Sequence, residues 1–159
     1  MAREQSPGEI AHALLLLDSF ARVVGRELVA REGAPADQAR RLFEATFVVV
    51  SHGTEADPIL NYGNRLALQL WEMDAEAFLM TPSRLTAEPM HREERARLLE
   101  RTLRDGFVDD YRGVRVSRTG KRFFIERALV WNVIDDVGLH RGQAATFGSW
   151  TPLASGPSG

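Results

Sequence analysis

Ser51-His52, with Asp57 a short way on, brings together a hydroxyl, an imidazole and a carboxylate, the side chains of a hydrolase triad. Such a triad works only if the serine and the histidine meet. Phe47-Val48-Val49-Val50-Ser51 is β-branched and continuous, which reads as a strand buried on both faces. Adjacent side chains on a strand point to opposite faces, so Ser51 and His52 are held apart. Their expected role is structural, with Ser51 and Asp57 bonding backbone amides in the turn-rich loop from His52 to Pro58.

The histidines His12, His52, His91 and His140 stand alone, without the His-x-x-His or His-Glu-x-x-His spacing that sets two metal ligands on one helix face. His91 opens a long helical segment and reads as an exposed first-turn residue rather than a haem ligand. Gly106, Gly113, Gly120, Gly138 and Gly142 are spaced as strand turns, and none belongs to a G-x-x-x-x-G-K phosphate cradle. The expectation is a chain with no catalytic residue and no metal site, and the residues assign it no cofactor.

The more informative charges are Glu126 and Arg127, which interrupt an otherwise apolar run from Phe123 to Ile134. Strict alternation puts Phe123, Ile125, Leu129, Trp131 and Val133 on one face and Phe124, Ala128, Val130 and Ile134 on the other. Two apolar faces require two coverings: helices on one side, and on the other the amino-terminal helix, a second subunit, or both. A homodimer through that helix and the outer sheet face is therefore expected. Alternation also sends Glu126 and Arg127 to opposite faces, so at least one lies under a cover and needs a partner. One reading is a structural ion pair with Arg115 or Glu88. The sharper reading is a charge lining a pocket for a small polar ligand, and the candidate ligand-binding set is Asn61, Tyr62, Arg115, Arg127 and Trp131.

The elements that position these residues follow from local signals. Ser6-Pro7-Gly8-Glu9 is a capping box with proline at the first helical position. From there Ile10, Leu14, Leu17, Ala21, Val24 and Leu28 form an apolar stripe, predicting one amphipathic helix that ends near Gly33-Ala34-Pro35. Asp37 is expected to cap a short second helix. Ile59 to Tyr62 reads as a strand, Asn64 as the cap of a helix over Arg65 to Met73, and Asp74 as the cap of a short helix through Leu79. Pro89 to Arg104 is helical with a solvated charged face and a stop at Gly106. Three antiparallel strands follow: Phe107 to Ser117, Arg122 to Ile134 and Gln143 to Trp150.

The chain has 159 residues, no cysteine and a formal charge of -2. That size supports one self-sufficient core, and the charge offers no general attraction for nucleic acid or anionic lipid. No apolar run is long enough to span a membrane, and the absence of cysteine removes disulfides, thiol chemistry and a cysteine-linked flavin photocycle. A cytoplasmic protein is expected.

The order of two short strands, several helices and three long strands is that of the PAS fold, and Ile59-Leu60-Asn61-Tyr62-Gly63-Asn64 looks like its strand-to-helix segment. SHGTEADPILNYGN, WEMDAEAFLMTPSR, GFVDDYRGVRVSRTGKRFFIERALVWNV and GQAATFGSW resemble the MEKHLA family, a PAS-like domain. The resemblance implies an α+β fold with a five-stranded antiparallel sheet, helices on one face and an amino-terminal amphipathic helix. It also implies a non-enzymatic sensory or interaction role, binding a small molecule or regulating dimerisation, as the domain is thought to do in plant homeodomain-leucine-zipper factors. The chain resembles the family's free-standing bacterial form. The expected organisation is a helical extension over 1–35, the PAS-like domain over 36–151 and a disordered tail over 152–159.

Overall fold

The computed structural model describes residues 5–87 and 92–154. The expected helix start at Pro89, the residues Glu88 and His91, and the end of the tail lie outside the described residues.

Helix α1 (Pro7–Val24) begins as the capping box requires: the Glu9 amide donates to Ser6 Oγ at 3.2 Å and the Ser6 amide to Glu9 Oε1 at 3.3 Å. It stops about one turn short of Leu28, earlier than the stripe predicts. Gly25 takes φ 89°, a left-handed conformation open to glycine at little cost, and its amide closes the helix on Ala21 O. In α2 (Pro35–Phe43) Asp37 is not the cap but sits one turn in, where Oδ2 reaches back to the Ala34 amide at 3.0 Å.

β1 (Val48–His52) and β2 (Leu60–Gly63) form an antiparallel pair, and β2 runs straight into α3 (Arg65–Trp71). The junction is Asn64, fully buried. Its Oδ1 accepts from the amides of Ala67 and Val49, and its Nδ2 donates to Phe47 O at 2.8 Å and Leu42 O at 3.3 Å. One amide thus caps α3 and ties it to β1 and to the end of α2. Asp74 caps α4 (Ala75–Phe78) by accepting from the Ala77 amide at 2.8 Å. α5 (Arg92–Asp105) ends where Gly106 adopts φ 93°.

β3 (Phe107–Val116), β4 (Arg122–Ile134) and β5 (His140–Phe147) complete an antiparallel sheet of order β2-β1-β5-β4-β3. The expected last strand is divided: after a break at Gly148 and Ser149, β6 (Trp150–Pro152) pairs with the start of β4.

β4 does not alternate strictly. Tyr111 faces Ala128 and Gly113 faces Ile125, so β4 spends one more residue than β3 between these pairs, and the extra residue is a bulge at Glu126-Arg127. Both charged side chains are exposed, correcting the expectation that one is covered. The bulge also shifts the phase. Phe123, Ile125 and Ala128 share the inner core with Trp71, Phe78 and Phe147, whereas Leu129, Trp131 and Val133 belong to the outer core with Leu16, Leu17 and Phe20 of α1. α1 and α2 of the same chain pack on the outer face, and Phe20 meets Trp131 edge-on at 4.9 Å.

Candidate functional site

Between the inner face of the sheet and the helices α3 to α5 lies a cavity of about 70 Å³. At roughly 10–15 Å³ of accessible volume per water, it has room for about five waters or a molecule of a few heavy atoms. Leu60, Phe78, Leu98, Ile125, Val130 and Phe147 supply an apolar wall. Against that wall stand Arg95, Arg115, Tyr111, His52, Trp71 and Gln143.

Arg115 of β3 is 8% exposed, and its guanidinium stacks over the Tyr111 ring with the carbon 5.0 Å from the centroid. Burial lowers its pKa, offset by Tyr111. Arg95 of α5 donates to Ser83 Oγ across the mouth of the cavity. Burial, and then the like charge of Arg115, push its pKa down to about 10, against the pull of Tyr111 and Asp57. Tyr111 is driven up by burial and held back by the two arginines.

His52 Nδ1 lies 3.0 Å from Gly53 O, which only accepts, so this nitrogen carries the proton of the neutral ring. Burial first, then the charge of Arg95, lowers the imidazole pKa below its ordinary value, against the pull of the Gly53 carbonyl and Glu55. Nε2 is therefore a bare acceptor, buried without a partner among the described residues. Trp71 Nε1 is a buried donor, likewise without a partner among the described residues. Among the described residues no three His, Asp or Glu side chains converge, so the cavity offers no metal donor set.

The predicted ligand-binding residues do not share one place. Arg115 lines the cavity. Arg127 is exposed on the bulge and donates from Nε to Asp109 O at 3.1 Å, while Glu126 accepts from Thr151. Trp131 is wholly buried in the outer core. Tyr62 lies beneath α1, stacked on His12 at 6.0 Å, and burial drives its hydroxyl well above the ordinary tyrosine range. Asn61 Oδ1, also on the outer side, accepts from Ser51 Oγ. Ser51 in turn meets His12, at 3.2 Å, and not His52. With its own proton committed to Asn61, Ser51 receives from His12 Nε2, an arrangement that pins α1 to β1 and does not activate a nucleophile.

Arg95, Tyr111, His52 and Trp71 escaped sequence reasoning. Arg95 was hidden in a charged run expected to be solvated. A signal existed: Leu98, Leu99 and Thr102 follow it at three, four and seven residues, so Arg95 belongs to the buried face of its helix.

The profile of the MEKHLA domain matches residues 10–152. No curated protein matches the chain. Among solved structures, the PAS domain of a protein from Colwellia psychrerythraea superposes with a TM-score of 0.61 over 74% of this chain and 94% of that one, at 11% identity. A light-oxygen-voltage domain studied with a flavin analogue gives 0.55 over 74% and 85%, at 15% identity. A fungal light-oxygen-voltage photoreceptor domain gives 0.56 over 87% and 91%, at 13% identity. At such identities the likeness establishes a PAS-like fold.

Proposed function

The chain belongs to the MEKHLA domain family, and from that membership we propose that it is a sensory domain, without covalent chemistry, that binds a small molecule in the inner cavity and relays occupancy to α1. The observation that carries this reading is that two of the four orphaned buried polar atoms among the described residues, Trp71 Nε1 and His52 Nε2, belong to residues lining one cavity, while the other two, Tyr62 Oη and Trp131 Nε1, belong to the outer core. Orphans of this kind are costly in a filled structural core and useful in a binding site.

A hydrogen-bonded route leads out of the cavity. Gln143, on its wall, donates to Asn132 Oδ1 at 3.0 Å, and Asn132 O accepts from Ser19 Oγ of α1 at 2.8 Å. A ligand that recruits Gln143 changes what Asn132 and then α1 are bonded to, which supplies differential contacts for two states.

The neighbour studied with a flavin analogue raises flavin as a ligand, and the residues here do not fit it. The cavity of about 70 Å³ is far below the roughly 300 Å³ at which ligand pockets begin, and the chain has no cysteine to form an adduct.

An open groove of about 630 Å³ on the outer face, between Val24, Leu28, Phe47, Phe107 and Leu129, favours a second reading. Here a second copy seats on the part of the outer sheet that α1 leaves uncovered. Light scattering showing a monomer at micromolar concentration removes that reading.

Native mass spectrometry of freshly purified protein tests the first reading. The expected spectrum contains a small non-covalent adduct that disappears on denaturation. A bare mass, together with a melting temperature unmoved by a broad panel of small metabolites, rejects it.

A further inference from the structure

Two guanidinium groups share the wall of one small cavity, and among the described residues neither forms an ion pair with a carboxylate. The acid that acts most directly on Arg95 is Asp57, which is itself engaged by Arg84 at 3.1 Å outside the cavity. Arg115 is more than nine-tenths buried, yet among the described residues its hydrogen-bond partners are Tyr111 and Val114 O, the latter at a long 3.5 Å. A guanidinium carries five N–H donors, so most of this fork has no acceptor among the described residues. Trp71 lines the same cavity, and its indole N–H is buried without a partner among the described residues. A buried cation without a counter-ion is strongly disfavoured, and two in one cavity repel each other as well.

We infer that the cavity binds a small oxyanion, a carboxylate or a phosphate, held between the forks of Arg95 and Arg115. This inference rests on the reading that the cavity is a ligand site, and it specifies the ligand's charge. Planar forks match the paired oxygens of carboxylate and phosphate, which a lysine ammonium would not do as selectively. The volume limits the anion to a few heavy atoms, so acetate, glyoxylate, malonate and inorganic phosphate are suitable probes. Tyr111, stacked beneath Arg115, holds one fork in place.

The test is a thermal-shift and calorimetric screen of the full chain in a buffer free of oxyanions, with acetamide and glycerol as neutral counterparts of similar size. Anions are expected to raise the melting temperature and the neutral compounds to leave it unchanged. Arg115→Met and Arg95→Met are each expected to weaken the best anion by at least about thirtyfold. Arg95, only half-buried, provides a variant that folds if Arg115→Met does not. A response to carboxylates alone or to phosphate alone names the source. Binding of neutral compounds without anions overturns the charge assignment while leaving the cavity a ligand site. A bare protein that answers neither panel overturns both. Anion binding that survives both substitutions undiminished places the anion elsewhere and also overturns the proposal.

Discussion

Ser19 of α1 and the side chain of Asn132 tie β4 to helices on opposite faces of the sheet. Ser19 Oγ, on α1, donates to Asn132 O and accepts from the Ile134 amide, both at 2.8 Å, while the Asn132 side chain reaches the other way to Thr102 O and receives Gln143. Ser19→Ala leaves a carbonyl and an amide bare at the helix-sheet contact, which costs about 2 kcal/mol. Chemical denaturation should show that loss with an unchanged slope. Hydrogen exchange in α1 should cease to respond to the cavity ligand, although the ligand still binds.

Asn64→Ala strips the α3 cap and leaves the Val49 amide and the Phe47 carbonyl unpaired inside the protein. The expected destabilisation is about 3 kcal/mol. Asn64→Asp preserves the acceptor but not the donors, so a variant as stable as the wild type would show that the Nδ2 bonds contribute nothing.

Arg115→Met removes a buried charge that has no carboxylate partner among the described residues. The ligand-free variant should be more stable than the wild type, by about 1 kcal/mol or more. A lower melting temperature in the absence of any ligand would mean that the guanidinium is paired within the protein.

Acid should weaken the fold below neutrality. Burial depresses the folded-state pKa of His12 and His52 below the ordinary 6.5, with Asn61 opposing for His12. The unfolded chain therefore takes up protons that the folded chain refuses. The stability contributed by neutral imidazoles is complete above 6.5 and is lost as pH falls through that value toward the folded-state pKa. Unfolding free energy should be level from about pH 8 to 7 and should decline below. His52→Gln should flatten the decline, and an equal slope in the variant would count against a buried neutral ring.

Glu72 responds in a different window. It accepts from Ser117 Oγ at 2.6 Å and from Thr119, and pairs with Lys121 Nζ at 3.2 Å, joining the end of α3 to the β3–β4 turn. The hydroxyl bonds from Ser117 and Thr119 lead in holding its pKa at about 2. Its contribution is present above 4.5 and lost only as pH falls through about 2. A carboxyl-carbon titration by NMR with a midpoint near the ordinary glutamate value would show that the staple is open in solution.

What could be read from sequence, and what could not, divides by the range of the interaction. Asn64 and Asp74 were legible because a cap bonds an amide three residues ahead, and the bounds of β4 because turns flank a long, largely apolar run. The end of α1 was not, because Leu28 continues the apolar spacing and packs on the outer core after the helix has stopped. The cavity was the least legible part. His52, Trp71, Arg95 and Arg115 come from four elements, and only the sheet order brings them together. Asn61, Tyr62 and Trp131 were assigned to the site on strand position alone, and the topology puts them behind it.

The single surplus residue in β4 lets one strand serve two interiors: Phe123, Ile125, Ala128 and Val130 face the inner layer, and Leu129, Trp131 and Val133 back the helix. Deleting either Glu126 or Arg127 would thus be no surface trimming. It would bring the halves into step and turn Phe123 and Ile125 toward the wrong layer, so that the shortest possible change in chain length becomes an exchange of inside for outside.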